Sequence, residues 1–165
     1  MANPLKQMRL RGESISKHPT HNMFGMVRKH HDGRPRPHQG WDIEAPNGTP
    51  VFAIADGEIH SLPNTGAYGR QIILQFAHGG AIYYAQYAHL SRVSVVVGQQ
   101  VRSGDQIGAT GHSGNASSLS SKERHLHFEV RTVAHPGTGL AGRVDPGMIL
   151  GYAVYSSETG GQSGN

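Results

Sequence analysis

Apolar residues along the chain come in short runs broken by Gly, Pro, Asn and Ser, and no long stretch repeats with the period of an amphipathic helix. Residues 51–55, 70–77, 81–88, 93–97 and 126–131 are rich in β-branched and aromatic side chains and are separated by turn chemistry, which predicts strands. Between the second and third of these, His78-Gly79-Gly80 supplies a tight connection, so residues 70–88 read as a β-hairpin. Residues 98–114 place Gly at 98, 104, 108, 111 and 114 around Val101 and Ile107, a pattern of short strands turning sharp corners. The pattern therefore predicts a mostly β protein, a compact antiparallel sheet domain over residues 21–150 with irregular termini. Residues 1–20 read as a flexible basic arm, and residues 151–165 as a polar, flexible, Gly/Ser-rich tail.

The length of 165 residues suits one domain with one core, and no internal repeat suggests otherwise. Charge is unevenly placed: residues 1–37 carry eight Lys and Arg against two acids, a net +6, while the remainder nets −2. Such a leading segment either attracts a polyanion or is a solvated arm. No run of ~18 apolar residues is available to span a membrane. Residues 1–17 also lack the ~7–15-residue apolar centre of a secretory signal. The sequence thus points to export by a dedicated secretion system or a phage route, or to a signal already removed.

Zero cysteines exclude a disulfide framework, a Cys-ligated zinc site, an iron-sulfur cluster and a thiol nucleophile. Any metal must be held by His, Asp or Glu, and twelve histidines against eleven carboxylates make imidazole the surplus chemistry. In a strand, alternate side chains share a face, so His125 and His127 point one way while Leu126, Phe128 and Val130 point the other. Two surface histidines on a half-exposed strand, or half of a metal or acid/base site, both satisfy that pattern. His38 and Asp42 stand four apart, and Gly40 between them argues for a bent loop rather than a helix. Together with one of the two strand histidines they complete a three-ligand site of the kind that leaves zinc a fourth, open position. His89, at the end of the predicted hairpin, adds a side chain whose pKa lies near neutrality, suited to proton transfer. The other histidines, at 18, 21, 30, 31, 60, 78, 112 and 135, take a structural or surface reading, although His30, His31 and His112 lie near enough in sequence to line a site.

At this point the sequence resembles the lysostaphin-type, LytM-like zinc metallopeptidases that cleave peptidoglycan cross-bridges. The resemblance is carried by Phe24-Gly25-Met26-Val27-Arg28, His38-Gln39-Gly40-Trp41-Asp42, residues 48–57, Tyr87-Ala88-His89-Leu90, residues 98–108 and His125-Leu126-His127-Phe128-Glu129. It covers residues 24–131 and implies a small antiparallel β-sheet fold crossed by a substrate groove. It further implies that His38, Asp42 and His127 hold Zn2+, with His89 and His125 flanking the attacking water as the catalytic pair, in either order of roles. Trp41 stands where the family more often has an aliphatic residue, and residues 114–124 form a longer, more polar link, expected to border the groove and to shape substrate choice.

The resemblance implies a monomeric, cell-wall-lytic endopeptidase acting in the cell envelope on stem or cross-bridge peptides. The missing signal suggests an injected antibacterial toxin, with an immunity or inhibitor protein as partner, or a phage lysin. About 30 residues after Arg131 leave no room for a wall-binding module, so recognition falls to the groove or the basic arm. The alternative is a non-catalytic regulator on the same fold that activates other cell-wall hydrolases; such members are recognised by lost ligands, and all five positions are intact here. A nucleic-acid binder is disfavoured because no basic stretch is interleaved with aromatics.

Overall fold

The computed structural model describes residues 1–11, 19–119 and 124–154. Within them lie twelve strands: β1 (Gly25–Lys29), β2 (Pro35–His38), β3 (Trp41–Glu44), β4 (Pro50–Phe52), β5 (Gly57–Ser61), β6 (Ile72–His78), β7 (Ala81–Ala88), β8 (Leu90–Val93), β9 (Gln100–Val101), β10 (Gln106–Thr110), β11 (His125–Arg131) and β12 (Arg143–Val144). One short helix, α1 (Pro146–Leu150), follows, capped by the Asp145 carboxylate, which accepts from the Gly147 amide at 2.9 Å. The mostly β, antiparallel reading holds. No helix among the described residues is long and apolar enough to cross a membrane.

The main sheet runs β12-β11-β7-β6-β5-β9, with β3 pairing β11 beside β12. Its centre is the predicted hairpin: β6 and β7 pair without a break from Ile72 opposite Tyr87 to His78 opposite Ala81. Gly79 and Gly80 both take positive φ, 57° and 80°, in a two-residue turn whose twist matches the flanking strands. A second sheet, β4-β10-β8, and the two-stranded β1-β2 ribbon complete the domain. The core gathers Ile43, Ile59, Leu74, Phe76, Tyr87, Phe128 and Val130, and the buried Tyr87 hydroxyl accepts from the Ile54 amide at 3.0 Å.

Three sequence expectations need correction. Residues 1–11 are not a loose arm: Leu5, Met8 and Leu10 are buried, Leu10 bridges Ile43, and the Glu44 and Phe52 amides donate to the Arg9 and Pro4 carbonyls at 2.7 and 2.9 Å. The segment is thus added along β3 and β4, while Lys6 and Arg9 remain exposed. Of the rest of the expected arm, residues 12–18 lie outside the described residues, and 19–20 begin a 3-10 turn, Pro19–Asn22. At the other end the domain reaches residue 154, because Val154 is buried and Tyr152 packs its ring 6.1 Å from Trp41 while its hydroxyl meets the Asn3 carboxamide. This contact explains how Trp41 is accommodated; residues 155–165 of the expected tail lie outside the described residues. Finally, the strand expected over 93–97 ends at Val93: the Gln99 side chain and amide bind the Val96 backbone in a turn that leaves Val96 and Val97 exposed.

Candidate metal centre

The site is built where β2, β3, β7 and β11 meet. On β11 the period of two sends Leu126, Phe128 and Val130 into the core and His125, His127, Glu129 and Arg131 to the opposite face, which is also buried. The ladder sets His127 directly opposite Asp42 on β3. His38, the last residue of β2, returns to the same place because the chain bends at Gly40, where a Cβ would be driven into the Phe128 carbonyl oxygen. His89 sits in the one-residue joint between β7 and β8 with φ 59°, a left-handed conformation that turns its ring toward the other histidines. Its centroid lies 5.1 Å from that of His125 and 6.1 Å from that of His127.

Of the residues singled out in the sequence, His38, Asp42 and His127 each offer a ligand atom, and these atoms lie within 4.8 Å of one another. Asp42 Oδ1 is 3.2 Å from His38 Nε2, 2.7 Å from His127 Nδ1 and 3.6 Å from His125 Nε2. The Met23 carbonyl, 2.7 Å from His38 Nδ1, can only accept, so that nitrogen carries the proton and Nε2 the lone pair. His38 Nε2 is buried without a hydrogen-bond partner, and it faces a carboxylate oxygen with no proton to share. Two electron-pair donors turned toward each other in this way fit a cation. Two imidazoles and a carboxylate match the donor set of an open, four-coordinate zinc site.

The charges around the three side chains are consistent with that reading. Burial alone pushes the Asp42 carboxyl up, but His38, His125 and His127 outweigh it and hold it well below the usual carboxylate range. Burial pulls His127 down, yet hydrogen bonds from its ring to Asp42 and Glu129 drive it up to about 9, so this pocket favours a positive charge at that position. Burial lowers His38 against the attraction of Asp42. His89, lowered to about 4 by burial and by its neighbours His125 and His127, stays neutral, and its Nδ1–H donates to the Ser113 carbonyl at 2.8 Å.

The sequence reading assigned no role to the shell behind these groups. Glu129 Oε1 takes His127 Nε2 at 2.9 Å and the Tyr68 hydroxyl at 2.5 Å, while Oε2 takes Arg131 Nε at 2.7 Å and Arg143 Nε at 2.8 Å. The alternation on β11 already put Glu129 on the face of His127; nothing local marks Tyr68 or Arg143. On the other side Arg28 Nη2 holds Asp42 Oδ2 at 2.8 Å, leaving Oδ1 for the histidines, and Arg11 Nη1 meets His125 Nδ1 at 3.2 Å. The whole opens into a groove of about 630 Å3, walled by the β1-β2 ribbon on one side and by Asn115 and Leu119 on the other. Of the link expected to border the groove, Asn115 and Leu119 line it, and 120–123 lie outside the described residues. His30 also lines it, whereas His112 bonds Asn47 at 2.8 Å away from it.

With this geometry in view, the comparisons with known proteins are decisive. The profile of Peptidase family M23 matches residues 36–159. The chain belongs to peptidase family M23. This M23 chain is 36% identical over 142 residues to the cell division protein DipM of Caulobacter vibrioides, covering 86% of the chain and 20% of that protein. It is 32% identical over 111 residues to the peptidoglycan DD-endopeptidase ShyA of Vibrio cholerae, covering 67% and 24% respectively. Among solved structures it is similar to the catalytic domain of lysostaphin from Staphylococcus simulans, with TM-score 0.61 and 30% identity over 79% of this chain and 90% of that one. The chain spans a quarter or less of the length of these two curated relatives.

Proposed function

We propose that this M23 peptidase is a zinc-dependent endopeptidase that hydrolyses an amide in the peptide cross-links of bacterial peptidoglycan, the link between D-alanine and a diamino acid. The observation that carries the proposal is the convergence of His38 Nε2, Asp42 Oδ1 and His127 Nδ1 in the lining of an open groove, with two further histidines beside them. The similarity to ShyA supports the choice of bond.

Zinc held by those three atoms would polarise the scissile carbonyl and acidify the attacking water. The hydrogen bonds support one division of the remaining work between His89 and His125. Because His89 Nδ1–H is committed to the Ser113 carbonyl, Nε2 is its free nitrogen; a weak base when buried, it is suited to accept the proton from a water already acidified and to pass it on readily to the departing amine. Arg11 can only donate, so His125 Nδ1 accepts and the neutral ring carries its proton on Nε2. His125 therefore serves as a hydrogen-bond donor to the oxyanion that develops on the carbonyl. Glu129 fixes the His127 ring and its tautomer, and Arg28 keeps Asp42 from turning its second oxygen inward.

The test is digestion of purified sacculi by the chain carrying one equivalent of zinc and by the same chain after chelation. New amino groups released only by the zinc-loaded protein support the reading. No release, or release that is indifferent to the metal, overturns it.

A further inference from the structure

The β1-β2 ribbon that walls the groove carries a charge arrangement that the fold itself does not need. Its register sets Arg28 directly opposite Arg36, and both side chains line the groove. Like charges directly opposite each other across an antiparallel pair are destabilising. Arg28 is compensated by Asp42 Oδ2 at 2.8 Å, and Arg34, further along the ribbon, by Asp32 at 2.6 Å. Arg36 is exposed and has no carboxylate within ion-pair distance among the described residues. Among the described residues lining the groove the only carboxylate is Asp42, against Arg11, Arg28 and Arg36. Arg36 also stands two residues before His38 on β2, hence on the same face and roughly 6.6 Å along the strand from it.

We propose that Arg36, with Arg28 behind it, is a carboxylate-binding position that selects peptides bearing a free carboxylate beside the scissile amide. The assignment rests on the peptidoglycan reading above and narrows it: stem peptides, whose γ-linked glutamate and diamino acid keep free carboxylates, are substrates, and neutral glycine bridges are not. A guanidinium is suited to the task because its planar fork meets a carboxylate through two parallel hydrogen bonds. The bound carboxylate would also relieve the repulsion between Arg28 and Arg36.

The experiment measures binding by calorimetry to the zinc-loaded full chain, with two probes: L-Ala-γ-D-Glu-meso-diaminopimelyl-D-alaninamide, whose terminal amide stands for the scissile one, and the same peptide with its glutamyl and diaminopimelyl carboxylates also amidated. The wild type should bind the free acid about tenfold more tightly, a preference that weakens at high salt. Arg36→Gln should bring the ratio near one, and Arg36→Lys should keep part of it. The thermal midpoint of Arg36→Gln should be equal to or above that of the wild type, which a merely structural arginine would not show. Equal binding of the two probes by the wild type, binding of neither, or a preference that survives Arg36→Gln overturns the assignment. Sacculus digestion in parallel separates the two readings. Cleavage without carboxylate preference removes this site and leaves the peptidase; carboxylate-selective binding without cleavage does the reverse.

Discussion

His127 lies directly across the β3-β11 ladder from Asp42, and its Nδ1 is 2.7 Å from Asp42 Oδ1. Strand register, rather than a loop, therefore places two of the three proposed ligands, and the ring's other nitrogen is held from behind by Glu129 at 2.9 Å. His125, two residues earlier on the same face, is 3.6 Å from the same oxygen and has its Nδ1 engaged by Arg11. The two histidines of one strand thus have different partners.

Asp42→Ala and His127→Ala should each lose bound zinc and activity together. His125→Ala and His89→Ala should retain close to one zinc per chain while activity falls by about 10²–10⁴-fold. Metal analysis beside a sacculus assay reads both quantities, and a zinc-free His125→Ala protein would undo the division of roles.

Much of this site could be read from residue order because β11 alternates cleanly. The period of two separates Leu126, Phe128 and Val130 from the histidines, and Gly40 signals the bend that lets His38 and Asp42 converge. What could not be read are contacts between segments with no period of their own. Leu5, Met8 and Leu10 are spaced irregularly among cations, and the segment that carries them pairs with Ile43, Glu44 and Phe52, more than thirty residues away. Arg143 reaches Glu129 from a two-residue strand that no pattern announces. The role of Arg36 follows from its register with Arg28, which is visible only once the ribbon is paired.

Glu129 accepts from two buried arginines, His127 and Tyr68. Glu129→Gln leaves those guanidinium groups facing a neutral amide and should cost about 3–5 kcal/mol of stability. Zinc affinity should fall about 10–100-fold, as when the group behind a metal-bound imidazole is changed. Denaturant unfolding and a competition titration with a zinc chelator measure the two effects.

Leu10→Ala tests whether the first residues belong to the domain. Leu10 is buried against β3, so its truncation should destabilise the chain by about 2–5 kcal/mol, a loss no loose arm would produce. Chemical denaturation of the variant and the wild type gives the difference.

In the metal-free chain the carboxylates beside His127 raise it from 6.5 in the unfolded state to about 9. A raised pKa contributes stability that is fully present below pH 6.5 and is lost as the pH climbs through about 9. Thermal midpoints of the chelated protein should therefore fall over that interval, and His127→Asn should flatten the fall. Zinc needs the ring neutral at Nδ1, so the stabilisation it brings should grow over the same interval.

The central claim, that a zinc held by His38, Asp42 and His127 serves to cut peptide cross-links, is tested most directly by mass spectrometry of muropeptides from sacculi digested with the zinc-loaded chain. Cross-linked dimers should disappear in favour of monomers whose masses place the cut between D-alanine and the diamino acid, and chelation should stop this until one equivalent of zinc is restored. Dimers left intact by a chain that carries stoichiometric zinc would contradict the account.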